Sequence, residues 1–221
     1  MALEQEKNKD KIYFVKKIKK EESIINSCIF FDRDGVIIED CHYIKNPEDV
    51  KLCPGVKELL RYLYDKKKII ILITNQSGIS KKLLSWEDYK KVTMRLIELL
   101  GHPNPISAIY ANSYNDCSQG SWRKPKPGMI LQATRDYAID LESSILIGDR
   151  QSDLDAGLNA GIKNLVHVLT GHGSNERKLI KSRIDNCGQY TSGKRGSKIF
   201  LIENLISFKK LIENSKFIKN G

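Results

Sequence analysis

The chain has 221 residues, 40% of them hydrophobic and 29% charged, with a net charge of +10. That length suits one α/β domain with a full core and small appendages. No apolar run approaches the ~20 residues of a bilayer span, so no membrane-spanning helix is expected.

The segment MALEQEKNKDKIYF (1–14) lacks an apolar signal core, which predicts no secretion signal. Cys28, Cys41, Cys53, Cys117 and Cys187 are an odd number at irregular spacing. They form neither a C-x-x-C pair nor a disulfide framework, which predicts a reduced, cytoplasmic protein. Residues 176–221 carry 11 Lys or Arg against 4 Asp or Glu. The basic excess is mostly C-terminal, which reads as a lysine-rich solvated segment, with contact to nucleic acid or an acidic membrane surface as the alternative.

In chain order, residues 1–26 are charged apart from IYFV (12–15), which reads as an extra strand, a short helix or an arm. SCIFF (27–31) reads as a buried strand. KELLRYLYDKKK (57–68) has Leu59, Leu60, Leu63 and Tyr64 at helical spacing, after Pro54-Gly55. IIILIT (69–74) is a second buried strand. SWEDYKKVTMRLIELLG (85–101) predicts a helix with Ser85 as N-cap, Glu87 and Asp88 in its first turn, and Gly101 as its end. ISAIYA (106–111) is a strand, GMILQATRDYAI (128–139) a helix and SSILIG (143–148) a strand. SDLDAGLNAG (152–161) is a short helix ended by Gly161, and NLVHVLT (164–170) is a strand. GQYTSGKRGSK (188–198) reads as a loop, and residues 198–215 as a strand and a terminal helix.

Alternating apolar strands and helices imply a three-layer α/β/α, Rossmann-like fold with a central parallel sheet. Ligands in such folds bind beyond the carboxyl ends of the strands. Those ends carry Asp32-Arg33-Asp34-Gly35, then Thr74-Asn75-Gln76-Ser77-Gly78, then Arg123-Lys124-Pro125, then Gly148-Asp149-Arg150-Gln151-Ser152-Asp153. Carboxylates gathered on one rim repel and need a cation, and hard oxygen ligands beside a phosphate suit Mg²⁺. One carboxylate can act as nucleophile and a second as proton donor. Thr74 and Lys124 can hold phosphoryl oxygens. Gly35 and Gly78 would let backbone N–H groups approach the phosphate.

The order D-x-D-G, strand–T-N, K-P and G-D-x-x-x-D resembles the haloacid dehalogenase superfamily of phosphatases, over about residues 27–175. The resemblance implies Asp32 as nucleophile and Asp34 as general acid/base. The separation of two residues sends both side chains to one face of the strand end. The short segments Asp34–Thr74 and Gly78–Arg123 leave no room for a cap domain. Domain boundaries follow as an N-terminal extension (1–26), the phosphatase domain (27–175) and a basic C-terminal extension (176–221) packing on it.

Within that superfamily, FFDRDGVI, DCHY (40–43), LCPGVKELL, ITNQSGI (73–79), RKPKPGM (123–129) and ILIGDRQSDLDAGLNAGI (145–162) resemble the D-glycero-D-manno-heptose 1,7-bisphosphate 7-phosphatases and histidinol phosphatases. The resemblance implies Mg²⁺ held by Asp32, the Asp34 carbonyl and Asp149, with Asp153 behind them. It implies substrate loops at Asp40, Cys41, His42 and Tyr43 and at Asn75, Gln76, Ser77 and Gly78. Arg123 would take the second phosphate, a bidentate task suited to guanidinium, and Arg150 would contact substrate or metal-bound water. These families carry a zinc loop with C-x-H and C-x-C. Here ANSYNDCSQGSW (111–122) keeps only Cys117, so no zinc is expected there, and packing of Trp122 or Tyr114 is expected to hold the loop.

The expected partner is a phosphorylated sugar, on a monomer or weak homo-oligomer. The alternatives are a histidinol phosphatase, a nucleic-acid 3′-phosphatase using the basic tail, and a catalytically idle binding protein. His102, His167 and His172 read as structural, with Gly171-His172-Gly173 bordering the crevice.

Overall fold

The computed structural model describes residues 4–8, 11–15, 26–186, 188–189 and 196–214. The apolar runs pair into one sheet. Its strands are β1 (Glu4–Asn8), β2 (Lys11–Val15), β3 (Cys28–Phe31), β4 (Ile69–Asn75), β5 (Ala108–Asn112), β6 (Ile145–Gly148), β7 (Asn164–His167) and β8 (Lys198–Leu201). They lie in the order β1-β2-β5-β4-β3-β6-β7-β8. The six strands from β5 to β8 are parallel, and the β1–β2 hairpin joins β5 antiparallel. IYFV therefore resolves to a strand.

The alternation of side chains along β3 splits the core in two. Ile29 and Phe31 face one hydrophobic cluster, and Cys28 and Phe30 face the other. The first cluster receives α1 (Val56–Asp65), α3 (Trp86–Leu100) and α7 (Leu205–Asn214) through Leu60, Leu96 and Phe208. The second receives α4 (Gly128–Tyr137), α5 (Gln151–Ala160) and α6 (Gly173–Lys181) through Met129, Leu154 and Ile180. Helices on both faces of a parallel sheet make the three layers of an α/β/α fold.

Local chemistry sets the helix ends. Ser85 Oγ accepts from the Asp88 N–H at 3.1 Å, and Asp88 Oδ2 accepts from the Ser85 N–H at 2.8 Å, a capping box opening α3. Such a cap contributes about 1 kcal/mol. Helix α1 buries Val56, Leu59, Leu60 and Leu63, each contributing roughly 1.5–3 kcal/mol. Helix α6 falls in a stretch to which the sequence reading assigns no element. Only Gly173 and Ile180 of GSNERKLIK are buried, too few to write an apolar stripe. A four-residue helix, α2 (Ser77–Ser80), follows β4. Most of 188–198 lies outside the described residues.

Strand β3 sits at the point where the strand order reverses, with β4 on one side and β6 on the other. A crevice opens at such a point, beyond the carboxyl ends. Among the described residues, the segments between β3 and β4 and between β4 and β5 carry only helices and turns of the body, with no cap domain. No helix among them is long and apolar enough to cross a membrane.

Candidate active site

Asp32 follows β3 directly, and its N–H donates to Ile147 O of β6 at 2.9 Å. Its carboxylate meets Lys124 Nζ at 2.6 Å, and Lys124 Nζ also reaches Asp153 Oδ1 at 2.6 Å and the Ile73 carbonyl at 3.0 Å. Burial alone would push the Lys124 ammonium down, but the Asp153 and Asp32 carboxylates outweigh it and hold it above its ordinary value. Burial pushes the Asp32 carboxyl up to about 7, with Lys124 pulling it back and Asp153 and Asp34 adding to the rise.

Asp34 turns the other way. Arg33 Nη2 pairs with Asp34 Oδ1 at 2.8 Å, and Arg33 Nε lies 3.1 Å from Oδ2. Gln76 Nε2 donates to Asp34 Oδ2 at 2.8 Å, and Thr74 Oγ1 donates to the same oxygen at 3.2 Å. Gln76 Nε2 also donates to Thr74 Oγ1 at 2.8 Å. In this arrangement Asp34 is an acceptor on every side and the Thr74 hydroxyl is spent on it. To give a proton or hold a phosphoryl oxygen, both must turn toward the crevice. Arg33, buried with its guanidinium 4.9 Å from the centre of the Tyr89 ring, is a site residue that sequence reasoning missed.

Asp149 is fully buried behind the crevice lining. Its Oδ2 accepts from the His172 N–H at 2.7 Å, while the buried Oδ1 has no hydrogen-bond partner among the described residues. Burial pushes this carboxyl up to about 9, with the Asp153 and Asp32 charges adding to it. Asp32, Asp149 and Asp153 offer oxygens within 4.8 Å of one another. A buried orphaned carboxylate oxygen beside two more carboxylates fits a divalent hard cation. Asp153 is already engaged, by Lys124 and by the Arg150 N–H at 3.0 Å.

Gly35 has φ +84°, and a Cβ there would sit 2.5 Å from Asp149 Oδ2; at Gly171 a Cβ would sit 2.3 Å from the same oxygen. The glycine at 35 thus makes room for Asp149 as well as for the turn. Gly78 has a different task from a close approach of backbone to phosphate. A Cβ there would lie 2.5 Å from Tyr43 Cδ1 and 2.4 Å from Leu84 Cδ2, so it seats the Tyr43 ring against α2.

The crevice holds about 620 Å³. Asp32, Asp34, Thr74, Lys124 and Asp153 line one part of it, and Asp40, Cys41, His42, Tyr43, Asn75, Gln76, Ser77, Gly78, Arg123 and Arg150 line the rest. Lys81, not foreseen, lines it too and donates to the Tyr43 hydroxyl at 2.8 Å. Asn75 grips the Lys124 backbone from both sides. Its Nδ2 donates to Lys124 O at 3.2 Å and its Oδ1 accepts from Lys124 N at 3.2 Å. Buried Asn112 steadies it by donating to Asn75 Oδ1 at 3.3 Å. Asn112 was missed because an asparagine ending an apolar strand carries no motif.

The 111–122 loop is held by packing and hydrogen bonds. Buried Trp122 meets Tyr110 edge-on at 5.9 Å, and Arg123 Nη1 donates to Tyr114 O at 2.8 Å. Lys126 Nζ donates to the Cys117 carbonyl. His172 has more partners than the sequence suggested, since its Nε2 lies 2.8 Å from Asp40 Oδ2.

Residues 27–166 match the polynucleotide kinase 3 phosphatase family. The chain is 36% identical over 167 residues to the D-glycero-beta-D-manno-heptose-1,7-bisphosphate 7-phosphatase of Helicobacter pylori, covering 72% of this chain and 96% of that protein. It is 38% identical over 141 residues to the D-glycero-alpha-D-manno-heptose-1,7-bisphosphate 7-phosphatase of Campylobacter jejuni, covering 63% of this chain and 81% of that one. In fold it is similar to a HAD-like phosphatase of Mesorhizobium loti, with a TM-score of 0.74 at 22% identity over 93% of each chain. It is also similar to the D,D-heptose 1,7-bisphosphate phosphatase of B. bronchiseptica complexed with magnesium and phosphate, with a TM-score of 0.72 at 24% identity over 86% of this chain and 99% of that one.

Proposed function

The chain belongs to the polynucleotide kinase 3 phosphatase family and is a phosphatase of the haloacid dehalogenase superfamily; from that footing we propose that it removes the 7-phosphate of a D-glycero-D-manno-heptose 1,7-bisphosphate. The observation that carries the substrate is the 36% identity spread over 96% of a relative named for this reaction. The crevice agrees with it. A volume of about 620 Å³ accepts a sugar bisphosphate, and cations stand in two places. Lys124 is beside Asp32, and Arg123, Arg150 and Lys81 are on the outer lining.

On this reading Asp32 attacks phosphorus. The Asp32 oxygen–phosphorus bond forms as the bond from phosphorus to the sugar oxygen breaks. Asp34, swung from Arg33 toward the crevice, gives its proton to the leaving oxygen. The same carboxylate then takes a proton from water, which attacks the acyl phosphate, releases inorganic phosphate and restores Asp32. Lys124 and Thr74 hold the equatorial phosphoryl oxygens, where charge stabilisation does most of the catalytic work. Asp32, Asp149 and the Asp34 carbonyl would hold Mg²⁺, which supplies charge neutralisation at the phosphoryl group. Arg123 and Arg150 take the second phosphate, a role suited to guanidinium. Residues 27–175 form the catalytic domain in this account, with extensions on either side.

A nucleic-acid 3′-phosphatase is the second reading, favoured by the family match and by the open crevice. Phosphate release with Mg²⁺, with and without EDTA, tests both. The panel is both anomers of the heptose bisphosphate, fructose 1,6-bisphosphate, histidinol phosphate and a 3′-phosphorylated oligonucleotide. The heptose reading expects one heptose anomer to give the highest kcat/KM. A higher value for the oligonucleotide, falling steeply with salt, overturns it.

A further inference from the structure

The described residues contain a second group of metal-ligand side chains, chemically unlike the buried carboxylates: Asp40, His42 and His172. We infer that these three residues form a separate site for a zinc-like transition-metal ion at the mouth of the crevice.

The geometry comes first. His172 Nε2 is 2.8 Å from Asp40 Oδ2, and His42 Nδ1 is 3.4 Å from Asp40 Oδ1. The three donor atoms lie within 4.8 Å of one another. Bonds of roughly 2.0–2.2 Å around a tetrahedral zinc put donors about 3.4 Å apart. The group therefore accepts an ion after small side-chain adjustments, without backbone movement. The two imidazoles stack at 5.8 Å with 20° between their planes, so both present ring edges to the same carboxylate.

The ligands are held from behind. The His42 N–H donates to Asp40 Oδ1 at 3.0 Å, and the His172 N–H is fixed by Asp149 Oδ2 at 2.7 Å. His42 and Tyr43 have φ of 46° and 55°, left-handed values that non-glycine residues adopt at a cost of about 1–3 kcal/mol. This turn puts the His42 ring over His172.

The donor set chooses the ion. Two imidazoles and one carboxylate suit zinc and its late first-row neighbours, whereas Mg²⁺ prefers oxygen ligands. Three protein ligands leave a coordination position for water or an anion. Access is open, because the His42 side chain is 78% exposed. Arg150 Nη2, 3.8 Å from Asp40 Oδ2, is the competing cation, and with its side chain 44% exposed it can swing into solvent. The site is distinct from the 111–122 loop, and because Asp40 and His42 also line the crevice, an ion held there would border the bound substrate.

The test uses the full chain at saturating Mg²⁺, titrated with Co²⁺ and followed by visible absorption, with Zn²⁺ as competitor. The expected result is one equivalent of Co²⁺ giving a ligand-field band that Zn²⁺ removes. H42A, at an exposed position that leaves the core intact, weakens Co²⁺ binding at least about tenfold, and so does H172A. D32N, which removes a ligand of the carboxylate site and makes no contact with the histidines, keeps the band. A wild-type protein with no band overturns the proposal. So does a band unchanged in H42A or in H172A, or one lost in D32N.

Discussion

Arg33 and Asp34, neighbours in the chain, form a forked ion pair in which a buried guanidinium grips the carboxylate from Nη2 and Nε. Consecutive residues of a strand point to opposite faces. The pair forms only because the chain has left β3 at Phe31 and entered a turn. The turn lets a residue from the core side reach around and orient the one in the crevice.

Arg33→Met should therefore lower kcat with little change in KM, by roughly 10–100-fold as for other orienting partners. The loss should depend on the leaving group. The defect should be larger with an alkyl phosphate, whose leaving oxygen needs a proton, than with p-nitrophenyl phosphate, where only hydrolysis of the acyl phosphate calls on Asp34. Equal defects on both would mean that Arg33 only supports folding.

Lys124 is buried between Asp32 and Asp153 at 2.6 Å from each. Lys124→Met leaves two carboxylates facing each other without a cation. Breaking a buried ion pair costs about 3–5 kcal/mol, so urea unfolding should show a lower midpoint at unchanged slope, and activity should be lost. Adding Asp153→Asn to it should recover stability without recovering turnover.

The two carboxyls proposed to hold the metal are both raised, Asp32 to about 7 and Asp149 to about 9, by burial first. In the metal-free protein they hold protons that the unfolded chain releases near pH 4. Folded-state stability from these groups is fully present below about pH 4 and is lost progressively as pH rises from there through about 7 for Asp32 and about 9 for Asp149. Mg²⁺ needs the ionised forms, so its affinity should climb over the same window with protons released. Calorimetry in two buffers of different ionisation enthalpy reads that release. The melting-temperature gain from Mg²⁺ should be larger at pH 8.5 than at pH 5.5. A pH-independent affinity would contradict the assignment of these two ligands.

Asn75 grips the Lys124 backbone through both ends of its amide. Asn75→Ala should lower kcat by about tenfold or more while KM for a bisphosphate changes less. Asn75→Asp should do no better, because a carboxylate cannot donate to the Lys124 carbonyl. A variant altered only in KM would put Asn75 on the substrate instead.

The parallel strands were readable because runs such as IIILIT are apolar on both faces, which only a covered sheet explains. Three of the four motifs were readable because each ends such a run, and the fourth, Arg123-Lys124-Pro125, lies in the loop that follows β5. The relationships among them were not. Nothing in the sequence says that Gln76 and Thr74 converge on Asp34 or that Asn112 backs Asn75, since these depend on three-dimensional register. His172 shows the same limit. It lies 132 residues from Asp40 in the chain, and only the packing of the loop after β7 brings the two together. Helix α6 lacks an apolar stripe, and tertiary contacts hold it, with Glu176 accepting from the Gln151 N–H and Arg177 donating to His167.

The hairpin has a colloidal consequence. All five residues of β5 are buried, and its outer side is fully paired by β2, from Ala108↔Val15 to Asn112↔Lys11. Without that cover, AIYAN would be a bare, greasy sheet border, the kind that recruits other chains into aggregates. The hairpin moves the border of the sheet outward to β1. Deleting the hairpin should therefore show up as turbidity before it shows up in turnover.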